Sequence, residues 1–195
     1  MAAPTDHPHS PLRLRCIDEL RLDPGDTVLD AGCGTGLAFE PLFERIGRRG
    51  RLIAFEQDPA LHAQAEMRAQ GLRAQGWQVE VLCARAQEVL LPARPDAALF
   101  HDVHDIIGTP AAVAHLFAQF PAGMRIAVAG GRPFPWWRLL PTLLTRWLAR
   151  RRAPRHAPPQ RPWALVEPHL QSFKCKPTQG GRFYIGSGRV KGAGP

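Results

Sequence analysis

The chain lacks what would stitch it together covalently and what would anchor it in a bilayer. Its four cysteines, Cys16, Cys33, Cys83 and Cys175, are scattered without a CxxC pair. That excludes a disulfide framework, offers no metal centre and points to a reduced, cytoplasmic setting. No apolar run of signal-peptide or membrane-spanning length opens the chain or occurs later. Acid is nearly missing from the second half: residues 1–105 hold 11 Lys+Arg against 16 Asp+Glu, whereas 106–195 hold 14 against the single Glu167. The net charge of +8 therefore belongs to the C-terminal half and suggests an anionic partner, substrate or surface near it. A length of 195 residues, 45% of them apolar, suits a single domain over 1–195.

Hydrophobic runs and helical patterns alternate along the chain. Residues 11–20 read as a short amphipathic helix, 27–30 as a buried strand, and 37–46 as a helix. A second strand follows at 51–56 (RLIAFE), then a helix at 59–74 with Leu61, Ala65, Met67 and Leu72 as buried candidates. Strands at 78–83, 96–100 (DAALF) and 125–129 come next, the last two separated by a helix at 110–120. Strands joined by helices of ten or more residues cannot pair as hairpins, so the fold class is α/β, doubly wound and mostly parallel. Residues 172–176 and 182–186, joined by Pro177-Thr178-Gln179-Gly180-Gly181, suit a C-terminal antiparallel hairpin. The expected sheet is Rossmann-like, with seven strands and one mixed edge.

In such sheets a ligand lies beyond the carboxyl ends of the strands where the winding reverses. The run VLDAGCGTG (28–36) falls there. A Walker loop is excluded, because Gly36 is followed by Leu37-Ala38 and no lysine waits for a phosphate. A dinucleotide fingerprint fits poorly, because Gly32, Gly34 and Gly36 place the third glycine one position early. Asp30, just before the loop, would repel a diphosphate but attract a ligand carrying an ammonium and a sulfonium. S-adenosyl-L-methionine is such a ligand. Glu56 ends the second strand, where a carboxylate can accept hydrogen bonds from both ribose hydroxyls. Taken singly, Asp30 could cap a helix and Glu56 could be a solvated strand end; together they read as one site.

From about Asp26 to Val190 the sequence resembles the class I S-adenosylmethionine-dependent methyltransferases of the small bacterial type, through VLDAGCGTG, the second-strand acid in IAFEQDP and the order of the closing hairpin. The resemblance implies that Gly32, Gly34 and Gly36 approach the methionine part, that Glu56 holds the ribose and that Gln57 flanks the adenine. Where family members often carry Gly-Asp-Ala after strand three, this chain has Ala84-Arg85-Ala86. Arg85 cannot accept a hydrogen bond from the adenine amine, so the backbone of Ala86 alone carries over.

HDVHDIIGTP (101–110) is where the resemblance implies that the acceptor approaches the methyl group. His101 stands at the methionine end. His104 with Asp105 resembles a recurring element of an uncharacterised subgroup and supplies the candidate catalytic pair, His104 being oriented by Asp105 or Asp102 as a base near neutral pH. The bland alternative has His101 packing on the cofactor and His104 capping the helix that starts near Pro110. No NPPY-like or DPPY-like run occurs, which argues against methylation of an exocyclic amine in DNA.

Four of the five tryptophans fall between Trp136 and Trp163, in a Trp/Arg/Pro-rich insertion at 133–162 that reads as a lid. Trp136, Trp137, Leu140, Leu143, Leu144, Trp147 and Leu148 recur at helical spacing and Arg150, Arg151 and Arg152 follow. Such a helix suits a pocket wall, core packing, or peripheral membrane contact through 136–152. With Tyr184, Trp136 and Trp137 are candidates for the acceptor side. The expected partner is a small acceptor, lipophilic or anionic. The alternatives are RNA methylation, since arginines interleaved with tryptophans can bind phosphates and stack bases, and a non-catalytic relative that binds the cofactor without transfer.

Overall fold

The computed structural model describes residues 8–131 and 161–192. Seven strands, β1 (Thr27–Ala31), β2 (Arg51–Glu56), β3 (Gln78–Cys83), β4 (Ala97–His101), β5 (Arg125–Gly131), β6 (Leu170–Thr178) and β7 (Phe183–Val190), form one sheet in the order β3-β2-β1-β4-β5-β7-β6. β1 to β5 run parallel, whereas β7 lies antiparallel between β5 and β6. The doubly wound sheet with its antiparallel hairpin is therefore present as the sequence implied.

Helix α1 (Pro11–Glu19) precedes β1, α2 (Phe39–Ile46) and α3 (Pro59–Ala74) fill the β1–β2 and β2–β3 crossovers, and α4 (His104–Ile107) and α5 (Pro110–Gln119) fill the one between β4 and β5. Two start on a proline behind a side-chain cap. Ser10 Oγ accepts the Arg13 amide at 3.3 Å, and Asp58 Oδ1 accepts the Ala60 and Leu61 amides at 2.7 and 3.2 Å, each satisfying orphan donors of a first turn. β1, β2, β4 and β5 are buried on both faces, the signature of a sheet covered twice. Leu12, Ile17, Phe39, Leu42 and Leu72 pack with Val28 and Leu52 on one side; Val103, Ile106, Val113 and Leu116 pack with Leu29, Ile53 and Val128 on the other.

Several expectations are corrected. On α3 the buried stripe is Ala65, Ala69 and Leu72, while Leu61 is 37% and Met67 70% exposed, so the helix packs on small residues rather than its bulkiest ones. The hairpin strands run longer than 172–176 and 182–186. Pro177 sits in β6, tolerated because β6 is the sheet edge, and a register irregularity between Gln171 and Lys174 hides the alternation. Four-residue α4 is too short to leave a periodic signal. His104 opens α4 rather than capping α5, which follows Thr109.

The insertion at 133–162, with Trp136, Trp137 and the proposed membrane face 136–152, lies outside the described residues except for its last two. Among the described residues no helix is long and apolar enough to cross a membrane, and no cluster of His, Cys, Asp or Glu suits a metal ion.

The chain winds outward from β1 through β2 to β3, then returns to place β4 on the other flank of β1. The loops after β1 and β4 consequently part at their carboxyl ends and leave a crevice.

Candidate active site

A cavity of about 490 Å³ occupies that crevice, within the usual size range for small-ligand pockets. Its floor is the glycine loop. Gly32 has φ 67° and Gly34 φ 56°, left-handed conformations that an L side chain adopts at a cost. A Cβ on Gly32 would lie 2.7 Å from Val103 Cγ1 and 2.8 Å from Ile106 Cδ1, whereas a Cβ on Gly34 would meet open space. Gly32 thus lets the loop press on the segment after β4, and Gly34 keeps the cavity face bare.

Glu56 shapes this loop from the neighbouring strand. Its Oε2 accepts the Gly34 amide and its Oε1 the Asp58 amide, each at 2.9 Å. A carboxylate offers about four lone-pair positions, so both oxygens keep capacity for a ligand's hydroxyls. The residue is 8% exposed.

Asp30 is buried and lines the same cavity. Burial raises its pKa to about 7, countered by the Arg13 guanidinium and reinforced by Glu56. Its Oδ2 is buried without a hydrogen-bond partner among the described residues, and so is His101 Nε2. Desolvation lowers the His101 pKa to about 4 against the pull of Asp102, whose Oδ2 lies 3.7 Å from His101 Nδ1. The imidazole is therefore neutral at ordinary pH. Burial pushes the Cys33 thiol of the loop upward, and Asp30 and Glu56 push it further, so it is no nucleophile.

Gln57 and Ala86 also line the cavity. Gln57 Nε2 donates to Asp105 Oδ2 at 3.0 Å, a strut from the end of β2 to α4. Arg85 is exposed.

Of the sequence candidates, Asp30, Gly32, Gly34, Glu56, Gln57, Ala86, His101 and Asp105 all line one cavity. Gly36 and His104 stand outside its lining. A Cβ on Gly36 would lie 2.7 Å from the Phe39 ring, which gives this glycine a packing role. His104 Nε2 contacts Gly131 O at 2.8 Å. A carbonyl oxygen can only accept, so Nε2 carries the proton and Nδ1 is the basic nitrogen. His104 and Asp105, adjacent in sequence, thus engage different partners. Beside His104 lies Tyr184, ring centroids 6.2 Å apart, and Trp163 lies 4.7 Å from Tyr184. The Tyr184 hydroxyl is buried without a partner among the described residues, and burial pushes its pKa up.

Arg13 was not legible in advance. It stands on α1 before the motif, lines the cavity and is 6% exposed. No local pattern marks it, since its burial comes from how α1 packs against the sheet. Asp102 is likewise a wall residue, with φ 59° immediately after β4.

These residues suit an adenosyl amino acid. Two strand-end acids face one cavity, one with a buried unpartnered oxygen, and a bare loop runs between them. Residues 28–120 match the family model of a methyltransferase domain. A solved S-adenosylmethionine-dependent methyltransferase from Aquifex aeolicus aligns at TM-score 0.63 and 16% identity, over 97% of this chain and 100% of that one. The N-methyltransferase NodS of Bradyrhizobium japonicum, solved with S-adenosylhomocysteine, aligns at 0.63 and 15%, over 95% and 89%. The geranyl diphosphate C-methyltransferase of Streptomyces coelicolor aligns at 0.66 and 16%, over 93% and 76%. At such identities the structural likeness concerns the fold. No curated protein sequence matches. Motif, site and fold together define a class I methyltransferase with S-adenosylmethionine as cofactor. The match to the methyltransferase-domain model spans residues 28–120, which hold the motif loop, Glu56 and His101.

Proposed function

We propose that this protein is a cytoplasmic enzyme that methylates a small acceptor, lipophilic or anionic, from S-adenosylmethionine held in the cavity at the β1/β4 crevice. The carrying observation is the pairing of Asp30 and Glu56 on adjacent strands around one glycine loop. Neighbours of the same fold include proteins named for small substrates such as geranyl diphosphate.

In this reading Glu56 receives the ribose hydroxyls, Gln57 flanks the adenine and Ala86 meets it through its backbone. Gly32 and Gly34 let the methionine part approach, with Gly36 setting the turn behind them. Asp30 faces the cationic end, and neutral His101 lies against it without adding charge. When bound, S-adenosylmethionine supplies a methyl on a sulfonium, so transfer is an in-line displacement that needs chiefly alignment. On the acceptor side His104, held through Nε2 by Gly131, presents Nδ1 to take the acceptor's proton. Asp105, braced by Gln57, supplies negative charge beside the imidazolium formed.

The single-domain reading over 1–195 belongs to the same proposal. Its support is that β5, before residue 132, and β6 and β7, after residue 160, join one sheet.

Calorimetry with S-adenosylhomocysteine, then labelled methyl transfer to lipid, polar and RNA fractions, tests this. Binding with label in a small-molecule fraction is expected. Retention of a nicotinamide or a nucleoside triphosphate instead would overturn the cofactor, and label in RNA would overturn the acceptor class.

A further inference from the structure

We propose that Gly130 is the seat of His104, a positioning residue whose missing side chain lets the imidazole lie where it can take the acceptor's proton. The inference rests on the reading of His104 as the base given above and assigns β5 a part in the transfer.

Gly130 lies one residue before the end of β5 and pairs with Tyr184 of β7. Its φ is not left-handed, so conformation alone does not call for glycine. Glycine inside a strand is unfavourable and often marks a close approach. Here the approaching group is an imidazole: a Cβ on Gly130 would lie 2.7 Å from His104 Cε1, 3.0 Å from His104 Nε2 and 3.3 Å from Asp102 Oδ1. Space is what requires the glycine.

His104 has little on its own helix to fix it. The residue is exposed and stands on α4, which is only four residues long. Ordering an exposed side chain costs rotamer freedom, so a defined position needs restraints from elsewhere. Three meet at this point. Gly131 O accepts the Nε2 proton at 2.8 Å, the Tyr184 ring stands edge-on at 74° with centroids 6.2 Å apart, and the bare Gly130 backbone forms the floor. Directly paired residues share a face of the sheet, so the room that Gly130 leaves is on the side of Tyr184.

The segment after β4 is thus handled by three successive residues of β5. Ala129 O accepts the amide of Asp102, where φ is 59°, at 2.8 Å, Gly130 seats the ring and Gly131 holds its nitrogen. A methyl on Gly130 would have to drive the imidazole from 2.7 Å to the 3.4–4 Å of ordinary contact. Misplacing a reacting group by about 1 Å costs on the order of 10²-fold in rate. The group displaced is the far end of an exposed side chain, so the fold itself is little disturbed.

The test sets Gly130→Ala against Gly186→Ala. Gly186 pairs with Val128 on the same two strands, and a Cβ there would lie 2.7 Å from Phe173 Cζ and 3.1 Å from Val128 Cγ2. Three quantities are measured: labelled transfer from S-adenosylmethionine into a small-molecule extract, S-adenosylhomocysteine affinity by calorimetry, and the nitrogen–proton correlation spectrum of the imidazoles. The His104 signal is identified by its loss in His104→Gln. Gly130→Ala is expected to cut transfer about 10²-fold at wild-type affinity, and to lose the exchange-protected Nε2 proton. Gly186→Ala should lower the unfolding midpoint further while keeping transfer, affinity and that proton. Wild-type transfer in Gly130→Ala beside slow transfer in His104→Gln would overturn the seat. So would an unchanged Nε2 signal in Gly130→Ala, a parallel loss of its S-adenosylhomocysteine affinity, or equal losses of transfer in the two glycine variants. Wild-type transfer in His104→Gln would instead overturn the reading of His104 as the base.

Discussion

Gly34 and Glu56, 22 positions apart in the chain, are joined by the Gly34 amide donating to Glu56 Oε2 at 2.9 Å. One carboxylate therefore holds the loop and faces the cavity, so shape and recognition are coupled at this point. The other oxygen accepts the Asp58 amide and ties Glu56 to the start of α3.

Glu56→Ala is expected to lower stability by about 1–3 kcal/mol through two stranded amides, in addition to weakening S-adenosylhomocysteine by at least about tenfold. Glu56→Gln keeps one acceptor oxygen and should recover part of the stability but little of the binding. Denaturant titration alongside calorimetry separates the two effects. Unchanged affinity in Glu56→Gln would remove the residue from the ribose site.

Asp30 carries the pH dependence. Its folded pKa of about 7 lies above the unfolded value of about 3.9, so the native state retains a proton that the unfolded chain gives up. The stability it contributes is full below about pH 4 and is lost as pH rises through about 7. Asp30→Asn should therefore gain on unliganded wild type between pH 5 and 8, by a few kcal/mol at most. His101, lowered to about 4, acts oppositely: its contribution is present above about pH 6.5 and is lost as pH falls toward 4. His101→Gln should gain on wild type as pH falls. Urea midpoints across this range check both signs.

The two glycines differ in what a methyl group meets. Gly34→Ala pays for φ 56° alone, roughly 1–2 kcal/mol. Gly32→Ala adds a Cβ 2.7 Å from Val103 and 2.8 Å from Ile106, for a total of roughly 2–5 kcal/mol. Equal midpoints for the two variants would contradict the packing of the loop on the β4–α4 connection.

For His104, transfer should fall about 10²–10⁴-fold in His104→Gln if Nδ1 takes the acceptor proton, with S-adenosylhomocysteine affinity by calorimetry unchanged. A parallel loss of that affinity would assign the residue to holding Gly131 rather than to proton transfer.

Much of the candidate cavity's lining was legible because the resemblance and the strand ends pointed to the same place. Asp30, Glu56 and the glycine loop follow from a short apolar run ending in an acid and from backbone free of side chains. Helix α3 was legible from Asp58-Pro59, a cap and a first-turn proline. Arg13 left no local trace, because a lone arginine on a helix face reads as solvated until the sheet behind it is known. Met67 misled for the converse reason: its size suggested the core, while the close approach of α3 to the sheet needs the small Ala65 and Ala69.

By itself the sequence determined the α/β alternation, the reversal of winding beside β1 and the glycine-rich turn that follows it, since these depend on near neighbours and on periodicity along the chain. Only the tertiary structure decided that Gly36 supports Phe39 instead of lining the cavity, that Asp105 braces Gln57 while His104 turns to Gly131, and that a buried arginine from α1 reaches the wall beside Asp30. Those outcomes depend on desolvation and on distances between segments far apart in the chain, which local sequence does not encode.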